Sequence, residues 1–101
     1  MVTIIVNFNI KADRMDEATA CIARFVQRIE QNEPETLTYR SYQDTSNPLH
    51  FLHFMEFKDE QAYERHRTSA YLKEFVGILY PCCSESPPTQ PWYLNAFKRK
   101  D

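Results

Sequence analysis

Residues 49–57 read LHFLHFMEF, and most of the architecture follows from them. In an extended chain successive side chains point to opposite sides, so Leu49, Phe51, His53, Met55 and Phe57 share one face and His50, Leu52, Phe54 and Glu56 the other. Both sets are largely apolar. Such a strand needs cover on both sides of its sheet. Upstream, residues 36–43 (TLTYRSYQ) are rich in β-branched and aromatic types and read as a partner strand, joined to it by the turn cluster 44–48. Farther back, Val2, Ile4, Val6, Phe8 and Ile10 alternate with Thr3, Ile5, Asn7 and Asn9, giving a first strand with one fully apolar face.

Between the first two strands, Met15, Ala18, Cys21, Ile22, Phe25, Val26 and Ile29 recur at helical spacing and predict an amphipathic helix over 14–32. Asp13 stands where its N-cap belongs, and Pro34 ends it. Downstream, Asp59 caps a short helix reaching Arg67. Thr68 and Ser69 cap another, which turns Leu72, Phe75, Val76 and Leu79 inward until Pro81 stops it. A proline-rich loop over 82–91 leads to a last strand, 92–98.

This order is βαββααβ. It predicts an α+β, ferredoxin-like domain, because a right-handed crossover from the first strand to the second leaves room for the third between them. The helices then cover one sheet face only. The other carries Ile5, Leu52, Phe54, Tyr42 and either Tyr93 and Phe97 or Trp92 and Leu94, with no helix left to cover it. The expected lid is a second copy of the same sheet, a homodimer packed face to face.

Composition narrows the function. The 101 residues form one domain, 1–101, with 43% hydrophobic and 26% charged residues, an ordinary globular balance. A single glycine, Gly77, excludes the phosphate-cradling loops that require several. A net charge of −2 gives no footprint for nucleic acid, and Lys98-Arg99-Lys100 reads as a solvated tail. No apolar run approaches the ~18 residues of a membrane span. No charged leader precedes the first strand, so a cytoplasmic protein without membrane contact is expected. Three cysteines, Cys82 and Cys83 adjacent, make a poor disulfide framework and read as reduced, inert thiols.

His50 and His53, three apart in a strand, face opposite ways and share no metal, and no carboxylate cluster completes a ligand set. His53 lies on the face assigned to the helices. His66 shares a side of its helix with Ala62 and Tyr63. Tyr39 lies on the second strand, and Tyr71 opens the third helix. Two imidazoles and two phenols converging in an aromatic setting form an acid–base set near neutral pH. The competing reading is that each is a core polar group with its hydrogen bonds satisfied.

The run Phe51-Leu52-His53-Phe54-Met55-Glu56-Phe57-Lys58-Asp59, followed by Ala62, His66, Thr68-Ser69 and Phe75, resembles the signature of the antibiotic biosynthesis monooxygenase domain family. Glu33-Pro34-Glu35-Thr36-Leu37-Thr38-Tyr39 is similar to that family's approach to its second strand. The resemblance implies a dimeric α/β barrel. It also implies a cofactor-independent monooxygenase acting on a small phenolic substrate, a quinol or an anthrone, without metal or flavin. A positioned base removes a proton, and the electron-rich anion itself reduces oxygen. In this chain His53 or His66 would be the base and Tyr39 or Tyr71 would hold the oxyanion. Phe51, Met55, Phe57, Phe75 and Trp92 would line the substrate pocket.

Four positions depart from the family pattern: Met55 where glutamate is frequent, Phe57 for tryptophan, Tyr71 for a second histidine and Glu35 for glycine. Met55 removes a carboxylate that would orient His66, so no His–Glu pair is expected. The strand-one asparagines have the wrong parity for haem degradation. Arg40 and Lys73 are the cations available for a phosphorylated sugar. Two alternatives therefore stand beside the monooxygenase: a dimeric module that binds or senses a small ligand without turnover, and an isomerase using the same acid–base pair.

Overall fold

A computed structural model of the chain describes residues 1–85, 88 and 90–100. Its strands are β1 (Val2–Asn9), β2 (Thr36–Gln43), β3 (His50–Phe57) and β4 (Trp92–Leu94). Its helices are α1 (Met15–Asn32), α2 (Glu60–Arg67) and α3 (Ala70–Cys82). The four strands form one antiparallel-paired sheet in the order β2-β3-β1-β4. Strand β3 sits between β1 and β2, as the crossover argument requires. The fold is α+β and ferredoxin-like.

Alternation along β3 settles which face is covered. Phe51, His53, Met55 and Phe57 are buried beneath the helices, whereas His50, Leu52, Phe54 and Glu56 are half-buried on the open face. From β1, Ile4 and Phe8 join the inner set, and Ile10 follows them into the core. Helix α1 answers with Ala18, Cys21, Ile22, Phe25 and Ile29, one buried stripe at helical spacing. The core divides in two. The larger part joins α1 and α3 to the sheet through Phe8, Phe25, Phe51, Phe75 and Leu79. A smaller one, Ile4, Met55, Phe57 and Ala62, lies under α2.

Two caps are as expected: the Asp59 carboxylate accepts from the Ala62 N–H at 2.8 Å, and the Ser69 hydroxyl accepts from the Leu72 N–H at 3.3 Å. Three boundaries differ. Asp13 does not cap α1, because it lies inside a 3-10 turn, Ala12–Arg14, and Arg14 holds the cap position without a side-chain capping bond. Pro81 does not stop α3. Near the helix end a proline forfeits a single N–H bond, so the helix runs one residue further and closes through Cys83 N–H to the Tyr80 carbonyl. Strand β4 pairs over Trp92–Leu94 rather than 92–98: Leu94 already lies opposite Thr3, and β1 has one residue left to pair.

That same register decides an open alternative. Tyr93 lies opposite Ile4 and therefore faces the helices, while Trp92 lies opposite Ile5 on the open face with Leu94. A bulge in β2 at Leu37 leaves that side chain 56% exposed. Among the described residues no helix is long and apolar enough to cross a membrane.

Candidate active site

Between the helices and the inner sheet face lies a cavity of about 370 Å3, lined by His53 and His66 together. That volume falls in the range of small-molecule sites, roughly 300–1,000 Å3. Its walls are mainly apolar: Ile4, Val6 and Met55 from the sheet, Leu72, Phe75 and Val76 from α3. Tyr39 and Phe25 close one side, and Tyr63, Arg67 and Tyr93 another.

His53 is held from both ends. Its Nδ1 is 2.7 Å from the Tyr39 hydroxyl and its Nε2 is 2.8 Å from the Ser41 hydroxyl. It is 2% exposed, and burial pushes its pKa down to about 4 from an ordinary 6.5. The ring is therefore neutral, one nitrogen donating and the other accepting, with no free lone pair for a substrate. Tyr39 is its complement. Burial, reinforced by the Glu33 charge, holds the phenol proton far above its ordinary range.

His66 is arranged differently. Its Nδ1 donates to Glu33, 3.0 and 3.2 Å from the two carboxylate oxygens, and both side chains are nearly covered. The same carboxylate accepts from the Thr36 hydroxyl at 2.6 Å and from the Tyr71 hydroxyl. Burial alone would raise the Glu33 pKa; the hydrogen bonds from His66, Thr36 and Tyr71 together outweigh it and hold the carboxyl below its ordinary value. Nε2 of His66 makes no hydrogen bond to the described residues. His66 is itself among the residues that line the cavity.

The pair is a correction. Met55 does remove a strand carboxylate, yet a His–Glu pair exists, supplied by Glu33 at the end of α1, 33 residues before His66. Helix α1 delivers it by ending there: the Glu33 N–H still bonds the Ile29 carbonyl while its backbone leaves helical geometry before Pro34. Tyr71 is corrected as well. It stands behind the dyad, its hydroxyl on Glu33, and does not line the cavity.

Among the expected lining residues, Met55 and Phe75 face the cavity. Phe51 does not; it stacks on Phe8 at 5.9 Å in the main core. Phe57, fully buried, packs between Tyr63 and His66 at 5.3 and 5.1 Å and supports the histidine from behind. Trp92 lies on the opposite sheet face, 60% exposed. Its neighbour Tyr93 takes the inner position and shares a hydroxyl–hydroxyl bond of 2.9 Å with Tyr63 across the cavity rim. Arg67, which spacing did not single out, also lines the rim and is paired with Glu64. Of the sugar-binding candidates, Arg40 lies on the open face and bonds the Tyr42 hydroxyl. His50, as its parity required, lies on that open face too, between Asp44 and Asn7. Among the described residues no three His, Cys, Asp or Glu side chains gather as metal ligands would.

The structure defines a ferredoxin-like α+β domain with a histidine-lined cavity beneath its helices, and comparison with known proteins makes that class specific. The profile of the Antibiotic biosynthesis monooxygenase family matches residues 1–77, and the chain belongs to that family. Solved structures agree. An antibiotic biosynthesis monooxygenase superposes with a TM-score of 0.86 at 20% identity over 97% of this chain and 100% of its own. A conserved protein from Methanosarcina mazei Go1 gives 0.83 at 20% identity, over 92% of this chain and 89% of its own. A protein from Caulobacter crescentus CB15, named for the same monooxygenase family, gives 0.87 at 15% identity over 96% and 90%. No curated protein sequence matches the chain.

Proposed function

We propose that this chain is a cofactor-independent monooxygenase acting on a small phenolic or anthrone-type substrate. One observation carries the reading. A largely apolar cavity of ligand size is lined by His66, whose ring is fixed at Nδ1 by a buried carboxylate. His66 rather than His53 is the base, because His53 has both nitrogens engaged and is pushed down to about 4 by burial. Tyr39 rather than Tyr71 is the hydroxyl near the substrate, since Tyr71 is committed to Glu33.

The steps balance on an anthrone methylene. Nε2 takes a C–H proton and the electron pair delocalises onto the carbonyl oxygen. That anion gives electrons to dioxygen; one oxygen atom becomes the new carbonyl and the other leaves as water. The apolar wall keeps bulk water from the anion. The test is oxygen uptake with a panel of anthrones and quinols. Uptake that survives undiminished when His66 and His53 are both alanine refutes the proposal.

We further propose that two copies pack through their open sheet faces. Ile5, Leu52, Phe54, Tyr42, Trp92 and Leu94 share that face; Tyr42, Trp92 and Leu94 are 47, 60 and 39% exposed, an apolar area no helix covers. Sedimentation at micromolar concentration reads a dimer for the natural chain and a monomer for Phe54→Glu. A monomeric natural chain ends the idea.

A further inference from the structure

Helix α2 brings more than its histidine to the cavity. Residues three and four apart on a helix share a side, so Tyr63, His66 and Arg67 stand together on α2, and all three line the space. An arginine keeps its charge at every physiological pH. Among the described residues that line the cavity, Arg67 is the only Lys or Arg, and no Asp or Glu lines it at all. A mainly apolar wall with one fixed positive charge is complementary to an apolar body with one negative charge. The proton transfer at His66 makes no use of that charge.

Glu64, outside the cavity, takes the guanidinium along one edge, from Nε at 3.1 Å and from one terminal nitrogen at 2.6 Å. That pairing uses two of the five N–H donors and leaves the edge between the two terminal nitrogens. Both partners are more than half exposed, so the bond orients the guanidinium at little cost to a second partner. Beside Arg67 the Tyr63 and Tyr93 hydroxyls share a bond of 2.9 Å. Burial, then that bond, push the Tyr63 phenol up to about 12, so it keeps its proton. Two hydroxyls spend one proton on each other and have one left for a third acceptor. The rim therefore offers donors of two kinds to a single anionic group.

Resting on the cavity reading above, we propose that the molecule this cavity takes is an aromatic monocarboxylate, its rings against the apolar wall and its carboxylate on Arg67, with a hydrogen bond from the Tyr63–Tyr93 pair. Arg67 sets specificity and moves no proton. A planar carboxylate meets the free guanidinium edge with two parallel bonds. A phosphate dianion calls for further cations, and those nearest in sequence and fold are committed elsewhere: Arg65 to Glu35, and Arg40 to the open sheet face. One guanidinium that shares its charge with Glu64 answers a single negative charge. Phe57 packs between the Tyr63 and His66 rings, at 5.3 and 5.1 Å, so the carboxylate and the atoms beside His66 belong to different parts of the ligand.

The experiment measures binding and needs no turnover. Anthraquinone-2-carboxylate and anthraquinone-2-carboxamide, alike in size and planarity and different in charge, are compared by equilibrium dialysis against the natural chain at low salt. The carboxylate binds at least about tenfold tighter, as one charge-assisted pair would give. Arg67→Gln removes that preference and leaves carboxamide affinity within about twofold, which a collapsed cavity would not do. Arg67→Lys keeps the charge without the fork and falls in between. His66→Asn retains the preference, because the imidazole is not the partner of the anion. Equal binding of the two compounds by the natural chain overturns the inference. So does a preference that survives Arg67→Gln or vanishes in His66→Asn. Oxygen uptake with uncharged anthrones beside equal binding leaves the monooxygenase standing and removes this inference; a carboxylate preference lost in Arg67→Gln, without uptake from any substrate, does the reverse.

Discussion

Lowering the pH sets His53 against the fold, and the size of the effect follows from its surroundings. The folded chain holds the ring neutral, with its pKa down to about 4 against 6.5 for a free side chain. Between those values the unfolded chain binds a proton that the folded chain refuses, so stability drops as pH falls. The contribution is complete above pH 6.5 and is lost progressively down to about 4. Each factor of ten in proton affinity is worth about 1.4 kcal/mol, so the full span is about 3 kcal/mol. That is a large share of the roughly 5–15 kcal/mol that holds a domain folded. Glu33 acts in the same direction. Its folded pKa lies below its ordinary value, so its contribution is present above the unfolded pKa and is lost as pH falls through the folded one. The comparison must therefore isolate His53. His53→Gln keeps a donor and an acceptor for Tyr39 and Ser41 but does not titrate. Urea midpoints at fixed protein concentration, taken at intervals from pH 7 to 4.5, give the two slopes. The natural chain loses about 1.4 kcal/mol per pH unit more than the variant through the middle of that window. Equal slopes would refute the claim that His53 is held neutral by burial.

Other outcomes follow from the packing. Phe57→Ala empties a fully buried site behind His66 and costs about 3–5 kcal/mol in urea unfolding. The same variant slows any reaction that depends on the His66 ring position. The three cysteines are buried and free, and burial pushes Cys83 up to about 11 and raises Cys21 and Cys82. Dithionitrobenzoate at pH 8 therefore modifies none in the native chain and all three in urea; rapid native labelling of Cys83 contradicts its placement.

Much of the fold is visible in the sequence because burial writes it at fixed periods. The doubly apolar run at 49–57, the alternation of Val2 to Ile10 and the stripe from Ala18 to Ile29 each report one element and its buried side. Asp59 and Ser69 mark helix starts because a cap is a contact over three residues. Asp13 misleads for the same reason in reverse: a cap residue is equally at home in a tight turn.

The site is less legible. Its key pair joins residues 33 apart on a helix end and another helix, and periodicity carries no information about such an encounter. In the sequence Glu33 is part of a motif before a strand, and the position that would supply a carboxylate for His66 is occupied by Met55. Trp92 and Tyr93 exchange roles through the β1–β4 register, which no local pattern specifies. His53 and His66 look alike as letters. Their difference, one engaged by hydroxyls at both nitrogens and one held by a carboxylate at Nδ1, comes from Tyr39, Ser41 and Glu33 around them.

The division of the core has a thermodynamic consequence. Two apolar clusters flank a space that neither fills, so the unliganded domain forgoes the cohesion that a continuous interior of its size would have. A molecule seated there acts as the absent piece of the interior, and folding and binding become one equilibrium. At a concentration one hundred times its dissociation constant it adds about 2.7 kcal/mol to stability. For a domain of about 100 residues each kcal/mol raises the melting temperature by roughly 4–8 °C. Heat can therefore identify the substrate before any reaction is known: among candidate aromatic compounds, the true occupant is the one that makes this chain melt late.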